Sequence, residues 1–194
     1  MISRVRNLLP PASLKLLYNS FIQPHIQYGV PIWGGCSNQS KKRIVCIQKR
    51  AIRTISKSYG LAHTEPRMKS IKILNFDDVY KQQLLTLTYD CVYKLAPDEL
   101  NNFIARQQSE SLSLRRHTYQ QLSLRVPKTK TKHLLSSFSV KGPEMWNELP
   151  NELKQAKSHN AFKESVKRFF LNKYKANVQC TNARCKDKRC HVKV

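Results

Sequence analysis

From Asn38 to Tyr59 the chain carries no acidic residue, yet Lys42, Arg43, Lys49, Arg50, Arg53 and Lys57 all fall within that stretch. Ile44, Ile47, Ala51, Ile52 and Ile55 recur in it at the spacing of one helical face. The pattern predicts a helix capped by Asn38 and running to about Ser58, an apolar seam backed by a bare cationic stripe. A surface helix ordinarily interleaves both signs and gains i,i+4 ion pairs. This one forgoes them.

The imbalance runs through the molecule. Its 194 residues hold 35 Lys+Arg against 12 Asp+Glu, a formal net charge of +23. Such an excess strains a compact fold by self-repulsion unless a polyanion neutralises it. Nucleic acid is the first candidate and an anionic membrane surface the second. No run approaches the roughly 18 apolar residues of a spanning helix. The opening MISRVRNLLPPASLKLL lacks the continuous apolar stretch and cleavage site of a secretory signal. Pro10 and Pro11 also interrupt a transit-peptide pattern. The expectation is a nuclear or cytoplasmic protein, not a secreted one, with Cys36, Cys46 and Cys91 as reduced core thiols and no membrane partner.

The rest reads as mainly α with a small β element. Pro10 and Pro11 open a helix with Leu14, Leu17, Tyr18, Phe21 and Ile22 on its seam, ending at Pro24. Ile26 to Trp33 reads as an extended segment or a broken helix. Asn75, with Asp77 and Asp78 in the first turn, starts a helix whose seam is Tyr80, Leu84, Leu87, Cys91 and Leu95. A short amphipathic piece from Glu99 to Ile104 follows. Leu122, Leu124 and Val126 alternate with polar residues, as do Phe138 and Val140, and both stretches read as strands. Between them the KTKTKH run at 128–133 suits a strand edge or a basic loop. Gly142 and Pro143 are expected to break the chain, and Trp146 with Leu149 and Pro150 to form a compact turn. Ser158 then caps a last helix that buries Phe162, Val166, Phe169, Phe170 and Tyr174.

Catalytic signatures are missing. Metal-assisted phosphodiester chemistry needs carboxylates around Mg²⁺, and the single adjacent acid pair, Asp77-Asp78, reads as the acidic start of a helix. There is no nucleophile elbow, and the five glycines are not spaced for a phosphate loop. His25 and His63 read as structural histidines. Cys180, Cys185, Cys190 and His191 supply four potential zinc donors, but adjacent Cys190 and His191 fit one tetrahedron poorly, so a disordered basic tail is the favoured reading. What remains is phosphate-backbone binding of RNA or DNA by the stripe at 42–57, by Arg115 and Arg116, and by Lys128, Lys130 and Lys132. Of the aromatics that could stack on bases (Tyr18, Trp33, Tyr59, Tyr119 and Trp146), Trp33 and Trp146 read as core.

The strings LKLLYNSFIQPHIQYGVPIWGG, IQKRAIRTI and HTEP resemble the region just after the catalytic palm in reverse transcriptases of non-LTR (LINE-type) retrotransposons, closest to the jockey and chicken-repeat-like clades. KILNFDDVYKQQL, RRHTYQQLSLRVPKTKT, KGPEMWNELPNELK and FKESVKRFFLNKY extend the likeness, in order, over about residues 4 to 175. The resemblance implies a helical thumb-like region over 1–105 and a post-thumb region with short strands and a C-terminal helix over 106–176, while the basic Cys-rich tail over 177–194 departs from the family, having no standard C-terminal knuckle. It implies a piece of an RNA-directed DNA polymerase without the palm, hence no catalytic activity and no cofactor in this chain, since the Mg²⁺ would belong to the palm. Gln48, Lys49, Arg50 and Arg53 would then touch the backbone of a template–primer duplex, and Tyr18, Tyr28 and Trp33 would pack the first thumb elements. Partners would be RNA or DNA, the palm or host proteins, and an apolar patch around 14–33 would lie exposed. Two other classes stand beside this: a basic helical module docking on an acidic protein, and a peripheral membrane binder using the 163–175 helix.

Overall fold

The structure, a computed structural model, describes residues 2–58, 63–101, 104 and 123–174. It is mainly helical: α1 Pro11–Phe21, α2 Gln23–Gln27, α3 Val30–Trp33, α4 Asn38–Ile55, α5 Glu65–Ile71, α6 Phe76–Val92, α7 Lys132–Leu135, α8 Phe138–Asn147, α9 Asn151–Lys154 and α10 His159–Lys173. Residues 98–101 are helical too, and no strand occurs among the described residues. The chain folds into two compact units. The first comprises Met1–Tyr28, Cys36–Val79 and Arg168–Val194, and the second Gly29–Gly35 and Tyr80–Lys167.

The first unit is built around α1 and α4. Proline at the first position of α1 costs nothing, because that N–H has no helical partner. Leu14 and Tyr18, one turn apart, are fully buried, and α1 packs on α2 and α4, which also meets α5. The cap of α4 is Ser37 rather than Asn38, its hydroxyl accepting the Ser40 N–H at 3.4 Å. The helix stops at Ile55, three residues short of the expected end. Lys57 then turns the chain with φ 48°, a left-handed conformation. Ala51, Ile52 and Ile55 are buried as expected, but Ile47 is 60% exposed and its neighbour Gln48 takes the core position. Cys46 also lies outside the core and is exposed, Cys36 is half-buried, and Cys91 is buried.

Asn75 caps α6, its Oδ1 accepting the Asp78 N–H at 2.8 Å. Tyr174 closes the same corner. Its hydroxyl donates to Asp78 Oδ2 at 2.5 Å and accepts from the Asn75 N–H at 2.9 Å, while Lys69 Nζ donates to the Tyr174 carbonyl at 3.0 Å. Of the C-terminal seam, Phe170 and Tyr174 are buried here. Phe169 is half-buried, with Lys173 Nζ 4.2 Å from its ring centroid.

The second unit has an aromatic core. Phe162 stacks on Tyr89 with centroids 4.5 Å apart and lies 5.9 Å from Trp146. Such pairs contribute about 0.5–1.5 kcal/mol beyond their area. Tyr80, Leu84 and Cys91 of the expected α6 seam are buried. Leu87 is half-buried, and Leu95 is 61% exposed because the helix has ended before it. Ile26 to Trp33 proves to be a broken helix, with Gly29 at φ 60° between α2 and α3. Gly34 is forced by contact: a Cβ there would lie 2.3 Å from Tyr80 Cδ2.

The expected small β element does not appear among the described residues. Phe138 and Val140 lie in α8, which also contains Gly142 and Pro143, both buried. Pro143 stands inside the helix, at its sixth position, and gives up the N–H that would otherwise donate to the Ser139 carbonyl. Gly142 serves close packing, since a Cβ would lie 2.9 Å from both Thr88 Oγ1 and a Phe138 ring carbon. Trp146 is therefore helical, with the turn following it at 148–149. Leu124 is buried as a strand residue would be, but without a ladder. Asn147 Oδ1 accepts its N–H at 2.8 Å and Asn147 Nδ2 donates to its carbonyl at 2.7 Å. Val126 is 38% exposed, and Leu122 lies outside the described residues.

Candidate nucleic-acid interface

The floor of the site is the buried side of α4. Gln48 is fully buried, its Nε2 donating to the Tyr18 hydroxyl at 3.1 Å and the Leu74 carbonyl at 2.8 Å. Those bonds fix the rotation of α4 about its own axis. Ile52 and Ile55 seat the same side with apolar area, at roughly 1.5–3 kcal/mol for each fully buried side chain. Burial drives the Tyr18 phenol pKa above its ordinary value, with the Gln48 amide opposing in part.

The opposite side is the cationic face. Lys42, Arg43, Lys49 and Arg50 are exposed and Arg53 is half-buried. At about 100° per residue these five span an arc of about 120° centred on Cys46, about 180° from Ile55. Lys42 to Arg53 covers about 16 Å of helix at about 1.5 Å per residue. Two rows result, Lys42 with Lys49 and Arg53 on one side of Cys46, Arg43 with Arg50 on the other. Lys57 is exposed just past the helix end. None of the side chains from 38 to 47 is fully buried, and Lys41, Ile44 and Val45 are half-buried, so the cations of that half stand on a helix with little core packing. A set of cations at this spacing, with no acid among them in the sequence, can hold phosphate groups by charge-assisted contacts.

The other expected residues distribute differently. Lys128 and Lys130 are exposed in the irregular segment before α7, and Lys132 begins α7, all within the second unit. Arg115, Arg116, Cys180, Cys185, Cys190 and His191 lie outside the described residues, as do Tyr59 and Tyr119. Gln48 is removed from the contact set by its burial. Tyr18 and Trp146, both 0% exposed, cannot stack on bases, and Tyr28, expected to pack, is 86% exposed. Leu16 and Phe21 are exposed as well, at 66% and 54%. Asp77 and Asp78 form the first turn of α6 and are not aimed at a common ion, Asp78 being held by Tyr174. Among the described residues no group of three or more His, Cys, Asp or Glu side chains is placed to hold a metal. No helix of the described residues is long and apolar enough to cross a membrane. The sequence reading missed Gln48 as a core residue, although Ile44, Ala51 and Ile52, at i−4, i+3 and i+4, surround its position. No family model, no characterised protein sequence and no solved structure matches the chain.

Proposed function

We propose that this chain is the thumb and post-thumb part of a non-LTR retrotransposon-type RNA-directed DNA polymerase, without the catalytic palm, and that it binds RNA or DNA through the phosphate backbone. The observation that carries the binding reading is the acid-free arc of Lys42, Arg43, Lys49, Arg50 and Arg53 on the side of α4 opposite Gln48, Ala51, Ile52 and Ile55. The ordered motifs from residue 4 to 175 support the descent. Backbone contacts carry no base information, so binding is sequence-tolerant and salt-dependent. The post-thumb cations Lys128, Lys130 and Lys132 belong to the same excess of positive charge in the chain.

Binding of a short duplex, followed by fluorescence anisotropy over a salt series, tests this. The log–log plot is expected to be linear and steep. Replacing Lys49, Arg50 and Arg53 by Gln should flatten it by about 2–3 in slope. An unchanged slope removes α4 from the interface. Primer extension with Mg²⁺ or Mn²⁺ tests the absent palm, and any nucleotide incorporation by the pure protein overturns that part.

A second reading, docking on an acidic protein, is favoured by one observation: Leu16, Phe21 and Ile47 of the first unit are large, apolar and exposed. Complexes of that kind would survive nuclease digestion, whereas complexes bridged by nucleic acid would not.

A further inference from the structure

The end of α4 carries a feature that nucleic-acid binding leaves unused. Three hydroxyls cluster there. Thr54 and Ser58 are buried, at 7% and 5% exposure, but Ser56 is only half-buried. Ser56 Oγ donates to the Ile52 carbonyl at 2.8 Å and lies 3.0 Å from Ser58 Oγ. The next residue, Lys57, has φ 48°, a conformation that costs a non-glycine residue about 1–2 kcal/mol. The Ser58 N–H donates to the Arg53 carbonyl at 3.0 Å across this turn, which leaves Ser56 half-buried at the surface end of the helix.

The charges around it are one-sided. Arg53 stands three residues before Ser56, Arg50 six and Lys49 seven, Lys57 follows, and no acid occurs from Asn38 to Tyr59. Arg6 reaches the same turn from elsewhere in the first unit, Nη2 donating to the Ser58 carbonyl at 3.2 Å. A serine preceded by cations at those positions is the substrate chemistry of a protein kinase whose cleft is lined by carboxylates.

We infer that Ser56 is a phosphate-acceptor site whose modification lowers the charge of the α4 face. Its acceptor chemistry stands on the residues just given, and its consequence rests on the binding reading above. Ser56 Oγ attacks the γ-phosphorus of a nucleoside triphosphate. The Oγ–P bond forms as the bond from phosphorus to the β–γ bridging oxygen breaks, and the diphosphate leaves with that electron pair. The hydroxyl proton passes to a carboxylate of the kinase.

The product brings about −1.5 to −2 of charge to the negative end of α4. It is opposed by the helix dipole and met by Arg53, Lys57 and Arg6. Arg53 is then drawn towards the new phosphate and away from a nucleic-acid one. The face loses about two charges.

The test uses the full chain, the catalytic subunit of a serine kinase that requires arginine at the third position before its target, and MgATP, with sites mapped by peptide mass spectrometry. Phosphate is expected at Ser56 and absent there in Ser56→Ala, with the rate reduced in Arg53→Gln. Against the same duplex, phosphorylated protein should bind about tenfold more weakly, with a salt slope lower by about 1–2. No phosphate at Ser56 overturns the inference. Phosphate at Ser56 with affinity and slope unchanged overturns it too, while leaving the binding reading intact. Failure of the unmodified protein to bind duplex would overturn the binding reading and the switch together, with the mapped site still deciding whether Ser56 accepts phosphate.

Discussion

The Gln48 side chain donates to the Tyr18 hydroxyl at 3.1 Å in the middle of the first unit's core, and with its bond to the Leu74 carbonyl and the burial of Ile52 and Ile55 it seats the side of α4 that lies away from the cations. Replacing Gln48 by Met keeps the volume but leaves the Leu74 carbonyl and the Tyr18 hydroxyl without that donor. The expected cost is about 1–3 kcal/mol, read as a lower urea midpoint. Once folded, the variant should keep the parent's salt slope in duplex binding. A slope reduced like that of the Lys49, Arg50 and Arg53 substitutions would mean that Gln48 touches the ligand.

Cys46 marks the centre of the cationic arc and has no core role. Cys46→Lys should therefore add a phosphate contact, steepening the salt slope by about 0.9 with little change in stability. Lysine at Ile47, on the flank of the arc, should do less. Equal effects at the two positions would show that only total charge matters and that the arc has no orientation.

Asn147 holds both backbone groups of Leu124. Asn147→Ala should release the segment around 123–127, giving faster proteolysis there and a loss of about 1–2 kcal/mol. Unchanged cleavage would mean that Leu124 burial alone secures the segment.

Alkaline pH should weaken the fold. Burial, with the Asp90 carboxylate adding, pushes the Cys91 thiol from an ordinary 9.0 up to about 11. The folded state thus holds this proton more tightly than the unfolded chain. Its contribution is complete below pH 9 and is lost as the pH rises from 9 towards 11. The buried phenols of Tyr18, Tyr80, Tyr89 and Tyr174 are raised as well, so the loss continues above pH 10. Thermal melts should decline from pH 9 upward, and Cys91→Ala should decline less between 9 and 11.

The helical period was readable wherever a seam was long and its side chains were of the expected type. Leu14 with Tyr18, Ala51 with Ile52 and Ile55, and Phe162 with Val166 and Phe170 occupy the core as their spacing implies. Reading failed where chemical type and angular position parted. Gln48 is polar yet sits on the inner side of α4, and Ile47, apolar, sits on its flank. It failed again at Phe138 to Pro143, where two apolar residues spaced by two fit a strand and a helix equally, and Gly142-Pro143 has the look of a stop. Leu124 shows a third limit. Extended backbone was expected there, but an amide side chain can satisfy a peptide group as a neighbouring strand would, and nothing local announces it. Within the site, the charges were legible because a basic run without acids needs no tertiary information. Which of them share a direction follows from the helical period alone.

From 38 to 47, no side chain of α4 is fully buried, and only Lys41, Ile44 and Val45 are half-buried. The exposed letters among them can therefore be rewritten with little penalty in folding, as long as helix formers are kept. That half-helix is a dial: the attraction between this protein and a polyanion can be tuned across it one residue at a time, while the fold that carries it stays as it is.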